Sequence, residues 1–330
     1  MDIKNDQARR NFKMREEISR QLLVWQNGQI VPIEKATVNV LTPAVLFGAN
    51  IFEGLAAYWN TEEEELYCFR FADHFKRLFE SSRIMRMNIP HTAEDFHRFT
   101  RETIIANKYR EDIHLLQVIY VDDIGGLFKQ NKFGMYIAAQ PHIHLFDIGK
   151  GIHCCTSTWT RISDGSSPPR VKSGPNYQNS RLASLEAEAK GFDWAIILTN
   201  QGKVSEAPGA CVFMVRNGVV VTTSVTSDIL ESVTRATLID LISKELDMPV
   251  KEREIDRTEL YVAEEVFVCG SGAEVLPVIS LDRIPIGDGN VGPVTKQIQK
   301  LYFDVVRGIH KGYSEWRVPV YGDYKDKGGR

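Results

Sequence analysis

Hydrophobic residues in the first half of the chain recur at both strand-like and helix-like spacing. Apolar residues flank Asn27-Gly28, a pair typical of a tight turn, so the segment 24–33 predicts a β-hairpin. LYCFRF predicts a strand, and ADHFKRLFESSRIMRM predicts a helix capped by Asp73, because its apolar residues recur at helical spacing. The pattern then predicts a second helix and two strands, at 93–109, 114–121 and 133–140.

The second half of the chain has the same mixture, with more strands and shorter ones. Asn217-Gly218 joins two apolar runs and predicts another hairpin. A helix is expected over 179–191, with Leu182 and Leu185 on its buried face. Ser232 is expected to cap a further helix, which begins at the next residue.

Helices and strands follow one another without the regular βαβ order of a doubly wound sheet, so the expected fold class is α+β. With 330 residues the chain is longer than one ordinary domain. The segment QPHIHLFDIGKG contains Pro and Gly and has little apolar periodicity, which is typical of a linker. The predicted parts are an N-terminal arm (1–22), a small α+β domain (23–142), an interdomain linker (143–150) and a large domain with a C-terminal tail (151–330).

Composition and charge disfavour several classes of protein. A formal net charge of −3 gives no electrostatic argument for nucleic acid or an acidic membrane as a partner. No apolar run reaches the roughly 20 residues that span a bilayer, and the charged N-terminus lacks the apolar core of an export signal. Five cysteines without CxxC spacing predict reduced thiols and no zinc site. We therefore expect a cytoplasmic protein with no metal.

The candidate chemistry lies in one stretch, RVKSGPNYQNSRLASLEAEAKGFDWAIILTNQGKVSEAPGACVF. Lys172 lies in its Gly/Pro-rich loop, Tyr177 follows shortly after, and Glu206 lies between two short strands. A lysine that forms a Schiff base, a nearby phenol and a buried acid facing a pyridine nitrogen together describe a pyridoxal 5'-phosphate (PLP) site. Taken singly, each residue has an ordinary alternative: a solvated lysine, a packing residue and a water-facing carboxylate.

A PLP site also needs a phosphate pocket, and the sequence offers three places for it. Val233 and Thr234 begin a predicted helix, where free N–H groups and the helix dipole favour a phosphate dianion. The turn CGSGAE lets the backbone of Ser271 and Gly272 approach a ligand closely. Arg77 could donate a charge-assisted hydrogen bond. Each signal is weak alone, since most helix N-termini bind only water.

Seven ordered motifs connect these residues to a known family: FGANIFEGL, FADHFKRLFESS, KSGPNYQNS, GKVSEAPGACVF, TSDILESVTR, AEEVFVCGSGAEVLPV and VGPVTK. The chain resembles the class IV aminotransferases, which are fold type IV PLP enzymes, and in particular the branched-chain amino acid aminotransferases. The resemblance runs from roughly Val24 to Tyr313. It implies the two-domain α+β fold of these enzymes and a homodimer.

The resemblance implies a role for each matching residue in cofactor binding. Lys172 would bind PLP as a Schiff base and carry the proton between the substrate's Cα and the cofactor. Tyr177 would hydrogen-bond the phenolic oxygen of PLP, and Glu206 would keep the pyridine nitrogen protonated. The implied phosphate ligands are Arg77, Val233, Thr234 and Ser271.

The resemblance also implies a set of substrate-binding residues. Gly272 and Ala273 would direct backbone N–H groups towards the substrate carboxylate. The other implied contacts with the substrate are Phe47, Phe52, His114 and Leu116.

Several of these positions depart from the family's pattern. Ala56 stands where branched-chain enzymes commonly have an arginine, and Phe47 stands where they have a tyrosine. The family's Tyr-x-Arg motif aligns with the residues from His114 to Leu116, so a second arginine is lost. The expected pocket is therefore more apolar and less cationic, which weakens recognition of a carboxylate by charge.

The departures leave open which group anchors the substrate carboxylate. Arg161 and Arg170 lie on the loop before Lys172, and either is a candidate for a substitute anchor. Cys211 replaces an asparagine of the glutamate motif and is expected to be a buried packing residue.

The leading prediction is a PLP-dependent transaminase (EC 2.6.1.-). It would move an amino group from a hydrophobic, branched-chain-like amino acid to a 2-oxo acid such as 2-oxoglutarate. A transaminase of (R)-amines, β-amino acids or D-amino acids stays open, and so does a PLP lyase resembling aminodeoxychorismate lyase. A binding module without catalysis is disfavoured because Lys172, Tyr177 and Glu206 occur together.

Overall fold

The computed structural model describes residues 21–124, 126–128, 132–144 and 146–322. Contacts between Cα atoms divide the chain into two compact units, one formed by 1–145 with 304–330 and the other by 146–303. Each unit combines a β-sheet with helices, which confirms the predicted α+β class. The predicted N-terminal arm lies almost wholly outside the described residues.

The first unit is built on an antiparallel sheet whose strands differ in length. Within the described residues its strand order is β16-β4-β3-β5-β6-β1-β2. These strands are β1 (Leu23–Gln26), β2 (Gln29–Pro32), β3 (Asn50–Asn60), β4 (Glu65–Phe69), β5 (Ile113–Val121), β6 (Phe133–Pro141) and β16 (Arg317–Pro319). The helices are α1 (Pro43–Phe47), α2 (Phe71–Ile84) and α3 (Ala93–Asn107), with 3₁₀ turns at Ile33–Lys35 and Ser314–Trp316.

The C-terminal segment belongs to the first unit, whereas the predicted boundaries placed it in the second domain. β16 pairs antiparallel with β4 at the edge of the first sheet. Beyond β16, the backbone N–H groups of Val320 and Tyr321 donate to the Glu65 carboxylate at 3.0 and 2.8 Å. This difference from the predicted boundaries arises because strand pairing joins residues that are far apart in sequence.

The two faces of the first sheet differ in burial. On one face Ile51, Leu55 and Leu115 are fully buried, and α2 and α3 pack on this side of the unit. On the opposite face of the same strands Phe52 and Leu116 are half-buried, whereas Tyr58 and Val118 are buried. This pattern follows from the two-residue period of a strand, which sends successive side chains to opposite faces.

The helix α2 begins two residues before its predicted cap. Its N-cap is Arg70, which has the left-handed φ of 53°, and Asp73 lies in the first turn. Asp73 accepts a hydrogen bond from Arg70 Nε at 2.6 Å. The acidic residue therefore still lies where the helix dipole favours a negative charge, although it is not the N-cap.

The second unit contains a larger mixed sheet. Its described strand order is β12-β11-β10-β13-β14-β7-β8, with β9 paired to β10 and β15 to β14. The strands are β7 (Ile152–Thr160), β8 (Trp194–Leu198), β9 (Glu206–Ala207), β10 (Ala210–Arg216), β11 (Val219–Thr222), β12 (Val250–Glu252), β13 (Glu265–Gly270), β14 (Glu274–Leu281) and β15 (Ile284–Pro285). The helices are α4 (Gly174–Ala189), α5 (Val233–Glu245), α6 (Arg257–Tyr261) and α7 (Pro293–Val306).

The helix α4 differs from its prediction in both its start and its buried face. It begins at Gly174, so it includes Tyr177 in its first turn. Its buried side chains are small, among them Ala183 and Ala187, whereas Leu182 and Leu185 are 37% and 43% exposed. Small side chains let the helix approach β7 and β8 closely, and this packing overrides the preference for burying leucine.

The predicted hairpins at Asn27-Gly28 and Asn217-Gly218 are both present, as β1–β2 and β10–β11. No helix in the described ranges combines the length and the hydrophobicity that crossing a membrane would require.

Glu265 joins two of the sequence motifs at the start of α7. Its carboxylate accepts hydrogen bonds from the backbone N–H groups of Val294 and Thr295, at 2.9 and 2.7 Å, and from the Thr295 hydroxyl at 2.6 Å. A Cβ at Gly292 would lie 2.0 Å from Cδ of Glu265, so only glycine lets the carboxylate approach. AEEVF and VGPVTK therefore have a structural role as a helix cap.

Replacing Glu265 with glutamine should lower the free energy of unfolding by about 1–2 kcal/mol, the usual cost of losing a helix cap. The amide keeps the shape but has only one acceptor oxygen for the three donors. Urea denaturation followed by circular dichroism measures the change. The exposed Glu188 of α4 provides the matched control. A loss in Glu265→Gln no greater than that in Glu188→Gln would contradict the capping role.

Candidate active site

Lys172 and Tyr177 meet at the start of α4. The Nζ atom of Lys172 lies 2.5 Å from the Tyr177 hydroxyl oxygen and 4.9 Å from the centroid of its ring. Lys172 lies in the segment between β7 and α4 and is partly buried, while Tyr177 lies in the first helical turn. The structure therefore brings together the predicted lysine and the predicted phenol.

Asn176 holds the backbone that leads to Lys172. The residue is only 3% exposed. The Nδ2 atom donates to the carbonyls of Pro168 and Val171, at 3.0 and 2.9 Å. Its Oδ1 atom accepts a hydrogen bond from the Ser167 hydroxyl at 2.6 Å. Asn176 stands beside Tyr177 in the sequence, but no local pattern marks it as a residue of the site.

The carboxylate of Glu206 lies in the interior of the second unit, where the residue is 4% exposed. Arg161 Nη2 lies 2.7 Å from Oε1, and the Leu230 backbone N–H donates to Oε2 at 3.1 Å. Burial raises the pKa of Glu206, although Arg161, the Leu230 N–H group and Lys172 each lower it. A further cationic donor at this carboxylate would therefore be favourable.

Arg161 forms a buried ion pair with Glu206. The residue is 6% exposed, and its Nη1 atom contacts Asn179 Oδ1 at 3.3 Å and Ser180 Oγ at 3.2 Å. Both of these partners belong to α4, the helix that carries Tyr177. A buried guanidinium needs a counter-charge such as Glu206, and the role of Arg161 as a substitute carboxylate anchor stays a prediction.

Arg170, the other suggested anchor, lies on the surface. It pairs with Glu231 at 2.8 Å, and the side chains of both residues are nearly half exposed. Cys211 is buried, as predicted, and its Sγ atom also contacts the Leu230 carbonyl at 3.5 Å. Cys211 lies directly opposite Glu206 in the β9–β10 pair.

Two of the predicted phosphate positions lie at the N-terminus of α5. Ser232 is the N-cap, as predicted, and its hydroxyl accepts a hydrogen bond from the Arg235 N–H group at 3.2 Å. Val233 and Thr234 form the start of the helix, where N–H groups lack intrahelical acceptors. Ser271 lies in the turn between β13 and β14.

Arg77, the remaining predicted phosphate ligand, belongs to α2 of the first unit. Its Nε and Nη2 atoms each lie 2.7 Å from an oxygen of the fully buried Glu53. His74 Nδ1 lies 2.8 Å from the same carboxylate. Burial alone would raise the pKa of Glu53, but Arg77 and His74 lower it to about 2. The Glu of the FEGL motif therefore fixes the guanidinium of Arg77, and no local spacing in the sequence marks this pair.

Three of the predicted substrate residues share the half-buried face of the first sheet. Phe52, His114 and Leu116 occupy alternate positions on the paired strands β3 and β5. A Cβ on Gly54 would lie 3.1 Å from His114 Cε1, so the glycine lets the imidazole lie against β3. Phe47 is 57% exposed at the end of α1.

The remaining predicted substrate residues lie in the second unit. Gly272 and Ala273 follow Ser271 in the turn that joins β13 to β14. Gly272 is exposed and Ala273 is half-buried. This turn is therefore at least partly accessible to solvent.

Comparison with known proteins decides the family. The model of the family described as amino-transferase class IV matches residues 50–281, which is more than half of the chain. This chain belongs to the class IV aminotransferases. The predicted family, the assignment as an aminotransferase and PLP as the cofactor are thereby confirmed.

Individual relatives of this aminotransferase agree over nearly the whole chain. It is 41% identical over 298 residues to a probable branched-chain-amino-acid aminotransferase of Aquifex aeolicus (strain VF5), which covers 89% of this chain and 95% of the relative. It is 35% identical over 302 residues to a branched-chain-amino-acid aminotransferase of Pseudomonas aeruginosa, covering 90% and 97%.

A solved structure shows the same architecture with the cofactor. The branched-chain amino acid aminotransferase of Thermobaculum terrenum, in its PLP form, matches with a TM-score of 0.87 and 38% identity. The match covers 92% of the present chain and 99% of that protein.

The residues of the second unit fit PLP on their own chemistry. Glu206 is a buried carboxylate whose pKa burial raises. A protonated pyridine nitrogen satisfies such a carboxylate. Lys172 supplies the primary amine, and Tyr177 supplies a phenol beside it.

Proposed function

We propose that this aminotransferase moves the amino group of a branched-chain L-amino acid to a 2-oxo acid such as 2-oxoglutarate. The observation that carries the proposal is the Lys172–Tyr177 contact, in the same unit as the buried Glu206 carboxylate. The named activity of the relatives supports branched-chain amino acids as donors. A relative crystallised with N-(5'-phosphopyridoxyl)-L-glutamate supports 2-oxoglutarate as the amino acceptor and glutamate as its product.

In this proposal the residues of the second unit hold the cofactor and move protons. Bound PLP supplies an electron sink for the pair of electrons left on the substrate's Cα. Lys172 is the amine that binds PLP and the base that moves the Cα proton at its Nζ atom. Tyr177 orients Nζ and donates to the phenolic oxygen of PLP, and Glu206 holds the proton on the pyridine nitrogen.

The phosphate contacts are proposed at the N-terminus of α5 and at the turn between β13 and β14. The N–H groups of Val233 and Thr234, with the Thr234 hydroxyl and Ser271, suit a dianion at a helix N-terminus. The role of Arg77 in phosphate binding stays a prediction. Its support is the Glu53 pair, which keeps a charged guanidinium in one orientation.

The substrate contacts are proposed from the chemistry of the residues. The apolar side chains of Phe52 and Leu116 suit a branched aliphatic side chain, and His114 and Phe47 complete the proposed set. The backbone N–H groups of Gly272 and Ala273 are the proposed donors to the substrate carboxylate, because Arg161 is already paired with Glu206.

We also propose that the enzyme is a homodimer. The segment 40–47 exposes five large apolar side chains, each between 53% and 69% exposed, which suits contact with a second copy. A cytoplasmic location is proposed because the five cysteines are all free and buried. Light scattering of the purified enzyme measures its mass in solution and tests the dimer.

A panel of amino donors tests the proposed substrate class. With 2-oxoglutarate as acceptor, L-leucine, L-isoleucine and L-valine should turn over, whereas D-leucine, β-leucine and (R)-1-phenylethylamine should not. The expected preference for the L configuration rests on the relative crystallised with N-(5'-phosphopyridoxyl)-L-glutamate. Turnover of a D-amino acid or an (R)-amine instead would favour the alternative transaminases. Release of pyruvate from aminodeoxychorismate without an acceptor would favour the lyase.

A further inference from the structure

We propose that Asn176 is a positioning residue for Lys172, which sets the contact between Lys172 Nζ and Tyr177 by fixing the preceding loop. The inference rests on the proposed function, because it takes Lys172 as the residue that binds PLP. Asn176 acts on Lys172 through the backbone and is not assigned any contact with substrate or cofactor.

The Asn176 side chain makes three hydrogen bonds, all to one short segment. Both donor contacts of Nδ2 go to carbonyls of that segment, those of Pro168 and Val171, and Oδ1 accepts from the Ser167 hydroxyl. Asn176 therefore ties together residues 167–171, which lead directly to Lys172. Because the side chain is almost fully buried, water cannot replace these bonds at low cost.

The hydrogen bonds of Asn176 matter because the backbone before Lys172 has little regular structure of its own. This backbone lies between the end of β7 and the start of α4, and the Val171 N–H group donates to the Pro168 carbonyl at 3.1 Å. The Lys172 side chain has a limited reach, so the position of its Cα restricts where Nζ can lie. Movement of the 167–171 segment would separate Nζ from the Tyr177 hydroxyl, now 2.5 Å away.

Asn176 and Tyr177 are adjacent on the first turn of α4, so one rigid element controls both ends of the lysine. Asn176 fixes the backbone at the base of Lys172, and Tyr177 contacts the tip of its side chain. A catalytic amine gains most from such preorganisation, since displacement by about 1 Å can cost about 100-fold in rate.

The amide is required at this position because of its mixture of donors and acceptor. Aspartate has the same shape and keeps an acceptor for Ser167, but its ionised carboxylate cannot donate to the Pro168 and Val171 carbonyls. It would instead face two carbonyl oxygens, which is repulsive. Replacing Ser167 with alanine is milder, because it removes only the hydrogen bond that orients the amide.

The test compares Asn176→Asp and Ser167→Ala with Ser184→Ala. Ser184 lies on the same helix, and its hydroxyl accepts a hydrogen bond from Trp194 Nε1 at 3.3 Å, away from the 167–171 segment. Stripped of cofactor, each protein is mixed with PLP, and stopped-flow absorbance measures the rate constant of covalent capture by the lysine. The melting temperature, kcat and KM are measured on the same preparations.

Asn176→Asp is expected to slow covalent capture about tenfold or more and to lower kcat by a similar factor, with little change in KM. Ser167→Ala should lower the rate constant of capture and kcat by a smaller factor. Ser184→Ala should leave both quantities at the wild-type value. If Asn176→Asp lowers only the melting temperature while capture and kcat stay unchanged, Asn176 is merely structural. If Asn176→Asp does not fold and Ser167→Ala captures PLP at the wild-type rate, the proposal also fails.

Failure of the proposed function has a different signature. In that case wild-type protein would show no covalent capture, or Lys172→Ala would capture PLP as fast as wild type. The role of Asn176 alone would be overturned by a different result. In that result wild type captures PLP normally, Lys172→Ala does not, and Asn176→Asp and Ser167→Ala capture it at the wild-type rate.

Discussion

Replacement of Lys172 with alanine should lower kcat for transamination by about 10²–10⁴-fold, the range that a positioned acid–base group supplies. The loss follows because Nζ is both the proposed amine for PLP and the proposed base for the Cα proton. Tyr177 remains in place but cannot replace a primary amine at this position. Initial rates with L-leucine and 2-oxoglutarate measure the effect.

The exposed Lys150 provides the control for Lys172. Its ion pair with Asp147 lies on the surface, so Lys150→Ala should keep nearly wild-type activity and stability. Partial rescue of Lys172→Ala by added methylamine would further identify the missing group as an amine. Equal activities of Lys172→Ala and Lys150→Ala would contradict the role assigned to Lys172.

Replacement of Arg161 with methionine should lower the free energy of unfolding by about 3–5 kcal/mol, the usual cost of removing one partner of a buried ion pair. The substitution leaves the Glu206 carboxylate buried with only the Leu230 N–H group and the Lys172 charge to stabilise it. Urea denaturation at two pH values measures the loss. Arg170→Met is the matched control, because its pair with Glu231 is exposed and should contribute about 0–1 kcal/mol.

The Arg161 variant should also depend on pH in a defined direction. Burial already raises the pKa of Glu206 in the folded protein, and loss of Arg161 removes an influence that lowers it. A carboxyl group with a raised folded-state pKa is protonated in the folded state over a pH range where the unfolded chain is ionised. Stability therefore falls as the pH rises above the unfolded-state pKa.

The deficit of Arg161→Met relative to wild type is accordingly expected to be larger at pH 8 than at pH 5.5. The double variant Arg161→Met with Glu206→Gln should recover part of the lost stability, because it removes the unpaired charge. A deficit that is larger at pH 5.5, or no larger than that of Arg170→Met, would show that the pair does not stabilise the fold in this way.

Local signals in the sequence were sufficient to locate the lysine and the phenol. Lys172 and Tyr177 lie close in sequence across a loop and the first turn of a helix, so short-range spacing brings them together. The Asn-Gly hairpins and the Ser232 cap were predictable for the same reason. Each depends on the conformation of a few adjacent residues.

Contacts between distant segments could not be predicted in this way. Arg161 meets Glu206 only after β7, α4 and β9 have packed, and no spacing in the sequence marks that pair. The pairing of β16 with β4 likewise joins two segments of the first unit that are far apart in sequence. On α4 the leucine pattern was misleading, because close packing against the sheet selected the alanine face instead.

Borohydride reduction followed by peptide mass mapping tests the central claim most directly. Purified protein is loaded with PLP, reduced and digested, and the peptides are searched for the added phosphopyridoxyl mass. The proposed function predicts that the label lies on Lys172 in the KSGPNY peptide and that pre-incubation with L-leucine before reduction abolishes it. A label on another lysine, or a Lys172 label unaffected by L-leucine, would contradict the proposed function.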